Sequence, residues 1–257
     1  MCGLDTEQTA PRLNRCTAFI VQHWGIDDTG MAAALSKAFL RCLIREHTQL
    51  SRDHLTPELM LHLITPACHL WSAKFENSPF DDPFWAFYWP GGQALTRYIF
   101  DNPHVVRGKT VLDIGSGCGS SAIAASLVGA SKAVANDIDA VAEVAISMNS
   151  EKNGASVIPD TSNYLMFPTV PSPDPSRFDI IFMGDMFYDP DFTQLIDDWL
   201  AGIGRETMVL IGDPGRLLFM EHPLMSKLKP VARYSLNKTS QLENNGLTDA
   251  SVWRLIM

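Results

Sequence analysis

The sequence predicts an α/β protein, a doubly wound, mostly parallel sheet of seven strands with an N-terminal helical extension. Three observations carry that prediction. Short apolar runs alternate with helical segments between residues 110 and 211. The run at 178–183 is apolar everywhere except Asp179, as a strand covered on both faces requires. The first run leads into a turn with glycine at 115, 117 and 119, followed by small helix-forming residues. That junction lets a ligand approach the backbone and the free N–H groups of a helix start.

The chain has 257 residues, 46% hydrophobic and 19% charged, enough for one large domain with a sizeable core. Residues 1–50 read as an extension and 51–257 as the main domain. Residues 1–30 show no periodicity, and Leu35, Ala38, Phe39, Cys42 and Leu43 then repeat at helical spacing over 31–46. Thr56 as N-cap, Pro57 in the first turn and Glu58 behind it predict a second helix to about residue 64, stopped before Pro66. Six aromatics follow between Phe80 and Trp89, and 93–100 reads as a short helix.

The strands are expected at 110–114, 132–136, 155–158, 178–183 and 207–211. Helices are expected from the glycine turn to about 128, at 140–152 with Asn153-Gly154 closing it, and at 191–200. Pro168, Pro171, Pro173 and Pro175 mark a loop. The alternating tails 231–236 and 251–256 predict an antiparallel pair joined through Asn244, Asn245 and Gly246.

Several function classes are disfavoured. The net charge is −9 and Lys and Arg form no cluster, so nucleic acid is not the expected partner and a basic protein surface is the better one. No run approaches ~18 apolar residues, which argues against membrane insertion. The five cysteines (Cys2, Cys16, Cys42, Cys68, Cys118) and seven histidines show no metal-ligand spacing, so no metal is expected. Arg12, Arg15, Arg41 and Arg45 amid Ser, Thr and Ala suggest a transit peptide, and Asp5, Glu7, Asp27 and Asp28 argue against one. Composition leaves the compartment open, between mitochondrial matrix and cytoplasm.

The turn itself narrows the ligand. A dinucleotide turn reads G-x-G-x-x-G, and here the sixth position is Ser120. The pattern is instead D-x-G-x-G-x-G, running from Asp113 through Gly115, Ser116 and Gly117. A carboxylate at that mouth suits a ligand with an ammonium group better than a pyrophosphate. This resembles the first motif of the seven-strand, Rossmann-like class I methyltransferases, which use S-adenosyl-L-methionine. Asp137, at the end of the second strand, is then expected on the ribose hydroxyls, with Asp139 capping the next helix. Asp160 is expected either near the adenine amino group or as a solvated loop acid. Trp89 is the aromatic candidate to face the sulfonium cation.

Asp185 and Tyr188 follow the fourth strand, where open α/β sheets carry their chemistry. They keep the acid-to-Tyr spacing of an N-P-P-Y motif without its prolines, which favours a flexible aliphatic amine over a planar base or amide. YWPGGQALTRYI (88–99), VLDIGSGCG with AVANDID (to 139) and GDMFYD (184–189) resemble the protein-lysine methyltransferases with a D-x-x-Y motif. LIGDPGR (210–216) and ENNGLTDASVW (243–253) bring the resemblance closer to the group that methylates the electron transfer flavoprotein β subunit. It covers roughly four-fifths of the chain, from residue 55 onward. It implies that flavoprotein subunit as protein substrate, a mitochondrial location, cofactor contacts at Asp113, Gly115, Gly117 and Asp137, and Asp185 and Tyr188 as catalytic residues. On this reading Asp185 captures the amine and Tyr188 shapes its pocket. A small-molecule methyltransferase and a non-catalytic binder on the same fold remain the alternatives.

Overall fold

A computed structural model describes residues 28–73, 78–166 and 174–256. The chain divides into two compact units, Met1–Leu43 and Ile44–Met257. Helix α1 (Asp28–His47) holds the described residues of the first unit and runs on into the second. The expected loop at Pro168, Pro171 and Pro173 lies outside the described residues.

The second unit is built on a seven-stranded sheet. Its strands are β3 (Thr110–Ile114), β4 (Lys132–Asn136), β5 (Ile158–Asp160), β6 (Ile180–Gly184), β7 (Met208–Asp213), β8 (Leu228–Ser235) and β9 (Asp249–Leu255). They lie in the order β5-β4-β3-β6-β7-β9-β8. The first five in that order are mutually parallel, and β9 runs antiparallel to both β7 and β8. The doubly wound seven-strand expectation therefore holds.

Alternation along the central strands explains why both faces are covered. Leu112, Ile114, Ile181, Met183, Val209 and Ile211 point to one side. There they pack with Ile196, Trp199 and Leu200 of the helix Pro190–Ala201. Val111, Ala133, Ala135, Ile180, Phe182 and Leu210 point to the other, against Leu95, Ile99, Ala122 and Ala125. The helices in chain order are α2 (Pro90–Asp101), α3 (Ser120–Leu127), α4 (Ala140–Asn153), α5 (Pro190–Ala201), α6 (Leu217–Met220) and α7 (Lys238–Glu243).

Three elements differ from expectation. The segment with the Thr56-Pro57-Glu58 start signal is not a helix. A turn there leads into β2 (Leu61–Leu63), paired antiparallel with β1 (Gln49–Ser51). Alternate residues Leu59, Leu61 and Leu63 share a cluster with Tyr88, Cys118 and Ile123, a strand-like spacing that overrides the local helix signal. Thr56 does not cap; its hydroxyl is buried and shares a hydrogen bond with the Tyr88 hydroxyl at 3.0 Å.

The third sheet strand starts at Ile158 rather than 155. Gly154 closes α4 in the left-handed region and the Ala155 N–H still donates to Ser150, so the helix end consumes the first residues. The tail hairpin is also longer than expected, with α7 inserted before the Asn244–Gly246 turn and capped by Asn237.

Side chains of α4 complete the outer edge of the β1–β2 hairpin. The Met60 N–H donates to Asn153 Oδ1 at 2.9 Å, and Asn153 Nδ2 returns a bond to the Met60 carbonyl at 2.8 Å. The His62 N–H donates to Asn149 Oδ1 at 2.7 Å, and Asn149 Nδ2 donates to the Cys118 carbonyl at 2.9 Å. Two carboxamides thus do what a further strand would do. Asn153→Ala is expected to lower unfolding free energy by about 1–3 kcal/mol, read as a reduced urea midpoint at unchanged m-value.

Candidate active site

A cleft of about 450 Å³ opens at the carboxyl ends of β3, β4 and β6, within the size range of small-molecule sites. Gly115 and Gly117 form part of its wall. Gly115 has φ 62°, and a Cβ there would meet the Met186 sulfur at 2.3 Å. The turn therefore closes directly on the segment after β6, and only glycine fits.

Asp113 does not face this cleft. It is buried behind the turn, accepting from Ser116 Oγ at 2.6 Å and from the Ala122 N–H at 3.3 Å. Burial pushes its carboxyl up to about 7. Ser116 is likewise turned inward, its N–H donating to the Asn136 carbonyl at 2.9 Å. Both residues brace the turn rather than meeting the ligand as expected. The physical reason is that a buried strand end needs acceptors for the first N–H groups of α3.

Asp137 does line the cleft. One carboxylate oxygen accepts from the Gly117 N–H at 3.0 Å and the other from the Asp139 N–H at 3.1 Å. Each oxygen keeps acceptor capacity for a hydroxyl. Burial raises this carboxyl too. Asp139 caps α4 by accepting from the Val141 N–H, as the sequence predicts.

Asp160 is not in the wall. Its carboxylate accepts from the Ser162 N–H at 2.8 Å and the Tyr164 hydroxyl at 2.9 Å. It thereby fixes Tyr164, which does line the cleft together with Asn163 and Leu165. Of the two readings left open for Asp160, near adenine or a solvated loop acid, the structure shows a half-buried carboxylate that supports the wall.

Asp185 and Tyr188 meet Trp89 and Arg216 at the other end. Asp185 is buried with φ 56°, a left-handed conformation unusual outside glycine. Its Oδ2 accepts from the N–H groups of Gly91, in a short bond, and of Gly92 at 3.2 Å. Its Oδ1 accepts from Arg216 Nη2 at 2.8 Å and Nε at 3.2 Å. Four donors thus meet a carboxylate with about four lone-pair sites. The carboxylate expected to capture the amine is therefore already bonded within the protein. Burial pushes the Asp185 carboxyl up, opposed by the Arg216 guanidinium and the two amides.

Tyr188 is 60% exposed, its ring against Phe192 at 5.3 Å between centroids. Trp89 donates its indole N–H to the Phe84 carbonyl at 3.0 Å, and the Arg216 guanidinium lies 5.8 Å from its ring centroid.

Sequence reasoning missed Arg216, Asp213 and Tyr164. Arg216 stood in a quoted motif without a role. Asp213 accepts from the N–H groups of Gly215 and Arg216, each at 2.7 Å, while its Oδ2 is buried with no partner among the described residues. Burial and then the Asp185 charge push it up to about 7. Trp85 lines the cleft, and its indole N–H is buried with no partner among the described residues. Among the described residues no three His, Cys, Asp or Glu are grouped to hold a metal ion, and no helix is long and apolar enough to cross a membrane.

Comparison with known proteins bears on this geometry. Residues 94–182 match the family model described as ribosomal protein L11 methyltransferase (PrmA). The electron transfer flavoprotein beta subunit lysine methyltransferase of Xenopus laevis is 47% identical over 83% of this chain and 85% of its own length. That of Homo sapiens is 44% identical over 83% of this chain and 81% of its own. A crystal structure from Pyrococcus horikoshii, provisionally named an RNA methyltransferase, superposes with a TM-score of 0.50 at 15% identity. It covers 73% of this chain and 96% of that one, and shares the fold.

The Asp113 carboxyl yields a stability prediction. Its folded pKa stands above the ordinary ~3.9, so its stabilisation is full below that value and is lost as pH rises through about 7. Asp113→Asn keeps an acceptor for Ser116 and Ala122 and should flatten the fall in melting temperature between pH 5 and 8.

Proposed function

This chain belongs to the electron transfer flavoprotein β-subunit lysine methyltransferases, and we propose that its own acceptor is a lysine of that flavoprotein subunit, methylated from S-adenosyl-L-methionine in the mitochondrial matrix. The observation that carries the catalytic part is the meeting, in the wall of one cleft, of the glycine turn, Asp137 and the Asp185–Tyr188 pair. The substrate is supported by the names of the relatives, and the compartment rests on the family resemblance alone.

The wall suits the cofactor. Gly115 and Gly117 present backbone alone to the cleft, and Asp137 offers acceptors to ribose hydroxyls. The bound cofactor supplies a methyl group on a sulfonium, an electrophile that needs no protein nucleophile. What the chain must provide is an amine with a free lone pair, aligned with that methyl.

Free lysine has a pKa near ~10.4 and enters protonated. Tyr188, exposed at the mouth and backed by Phe192, and Trp89 within it form apolar walls for the lysine stem. Desolvation between them lowers the amine pKa. Asp185, already bonded by four donors, orients the amine as a weak acceptor and does not act as a full counter-charge. The proton leaves to water at the open side of the cleft. Rate then comes chiefly from alignment.

Incubating the purified flavoprotein β subunit with this enzyme and labelled cofactor, with site mapping by mass spectrometry, should find methyl-lysine. Label appearing only in small molecules would reject the substrate. Asp185→Asn, which turns an amide toward Arg216, should cut the transfer rate about 100-fold or more with cofactor affinity held. Asp137→Ala should instead weaken cofactor binding about 10–100-fold by calorimetry. Import of the full chain into isolated mitochondria tests the compartment.

A further inference from the structure

We infer that Arg216 is a positioning residue that keeps Asp185 neutralised, so that the acceptor end of the cleft takes the target lysine as the free amine rather than as the ammonium. The inference rests on lysine as the acceptor. A bare carboxylate beside a lysine would hold it as the ammonium, which has no lone pair to attack the methyl. Here the bare carboxylate does not exist.

Arg216 meets one oxygen of Asp185 through two nitrogens, while the N–H groups of Gly91 and Gly92 meet the other. Those two amides begin α2, so the positive end of a twelve-residue helix also faces the carboxylate. Arg216 is itself fixed from three sides. Its backbone N–H is held by Asp213, its guanidinium by Asp185, and that guanidinium lies against the Trp89 ring. It lines the cleft, so a lysine amine reaching Asp185 meets a cation already in place.

The other charged groups near this end are accounted for. Asp213 sits under Arg216 with one oxygen unpartnered among the described residues, and burial and then the Asp185 charge push its carboxyl up to about 7, so it is shared between acid and carboxylate at neutral pH. Asp82, Asp137 and Asp139 also line the cleft, Asp137 near enough to add to the upward push on Tyr188, and Asp189 follows Tyr188. These acids attract a basic segment to the mouth whether or not Arg216 is present, so they cancel in a comparison of variants. Tyr188 has its phenol pushed up by burial and then by Asp189, so it stays protonated.

The test is the single-turnover rate of methyl transfer to the flavoprotein β subunit as a function of pH, for the unsubstituted enzyme, Arg216→Met and Arg216→Lys. Removing the cation should raise the amine pKa in the complex. The rate profile of Arg216→Met should then move to alkaline pH by about one unit or more, roughly tenfold slower at pH 7 and recovering above pH 9. Its KM for the protein should not rise, and Arg216→Lys should return the midpoint toward that of the parent. A purely structural role predicts loss at every pH with the midpoint unmoved, and that result, or a profile for Arg216→Met coincident with the parent, overturns the inference. Should Arg216→Met fail to fold, Arg216→Gln, which removes the charge and keeps hydrogen-bond donors toward Asp185, gives the same reading, with an unmoved midpoint counting against the inference. No transfer by the parent overturns the substrate assignment and this inference together, whereas transfer by the parent with unmoved variant midpoints overturns this inference alone.

Discussion

Gly91 and Gly212 touch backbone to backbone, and that contact sets where everything at the acceptor end of the cleft can stand. A Cβ on Gly91 would lie 2.2 Å from the Gly212 carbonyl oxygen, and one on Gly212 would lie 2.1 Å from the Gly91 oxygen. Gly184 at the end of β6 is nearly as close to Gly92. Helix α2 can therefore rest its first turn on the ends of β6 and β7, with no side chain between. Only at that distance do the first two N–H groups of α2 reach the Asp185 carboxylate. Trp89, which directly precedes the helix, is carried to the cleft by the same contact, and Arg216 is then held between Asp185 and Trp89.

A common device runs along the carboxyl edge of the sheet. Asp113 at β3, Asp137 after β4, Asp185 after β6 and Asp213 at the end of β7 each accept backbone N–H groups from the loop or helix beside them. These acids solve a local problem first, because loops that turn back over a buried sheet expose amides that need acceptors. The chemical effect follows from their number. Four carboxyl groups gather at one edge, two of them pushed up to about 7 by burial, and the one guanidinium that the described residues bring among them is Arg216. A cleft so built favours cationic ligands and tunes how strongly it favours them.

Much of this was legible in the sequence. The apolar alternation of β3, β6 and β7 is strong because both faces of a central strand are buried, and the glycine turn is legible because its spacing is geometric. Asp137, Asp185 and Tyr188 were found because strand ends in such sheets are where ligands bind. The direction in which an acid points was not legible. Asp113 and Asp160 occupy the expected places in the chain but turn toward amides and Tyr164. The pairing of Asp185 with Arg216 joins residues 31 apart across two strands, and no local pattern encodes it. The Thr56 start signal misled for a related reason, since Leu59, Leu61 and Leu63 find their burial against Tyr88 and Ile123, which are remote in sequence.

The carboxamide of Asn149 joins two parts of the protein that otherwise look separate. One end accepts the His62 N–H of the outer hairpin and the other donates to the Cys118 carbonyl inside the glycine turn. The hairpin and the turn therefore share one rigid link. Whatever orders the turn slows opening at His62, and whatever frays the hairpin loosens the turn. Amide exchange at a residue remote from the chemistry thus becomes a gauge of how firmly the cofactor end of the cleft is held.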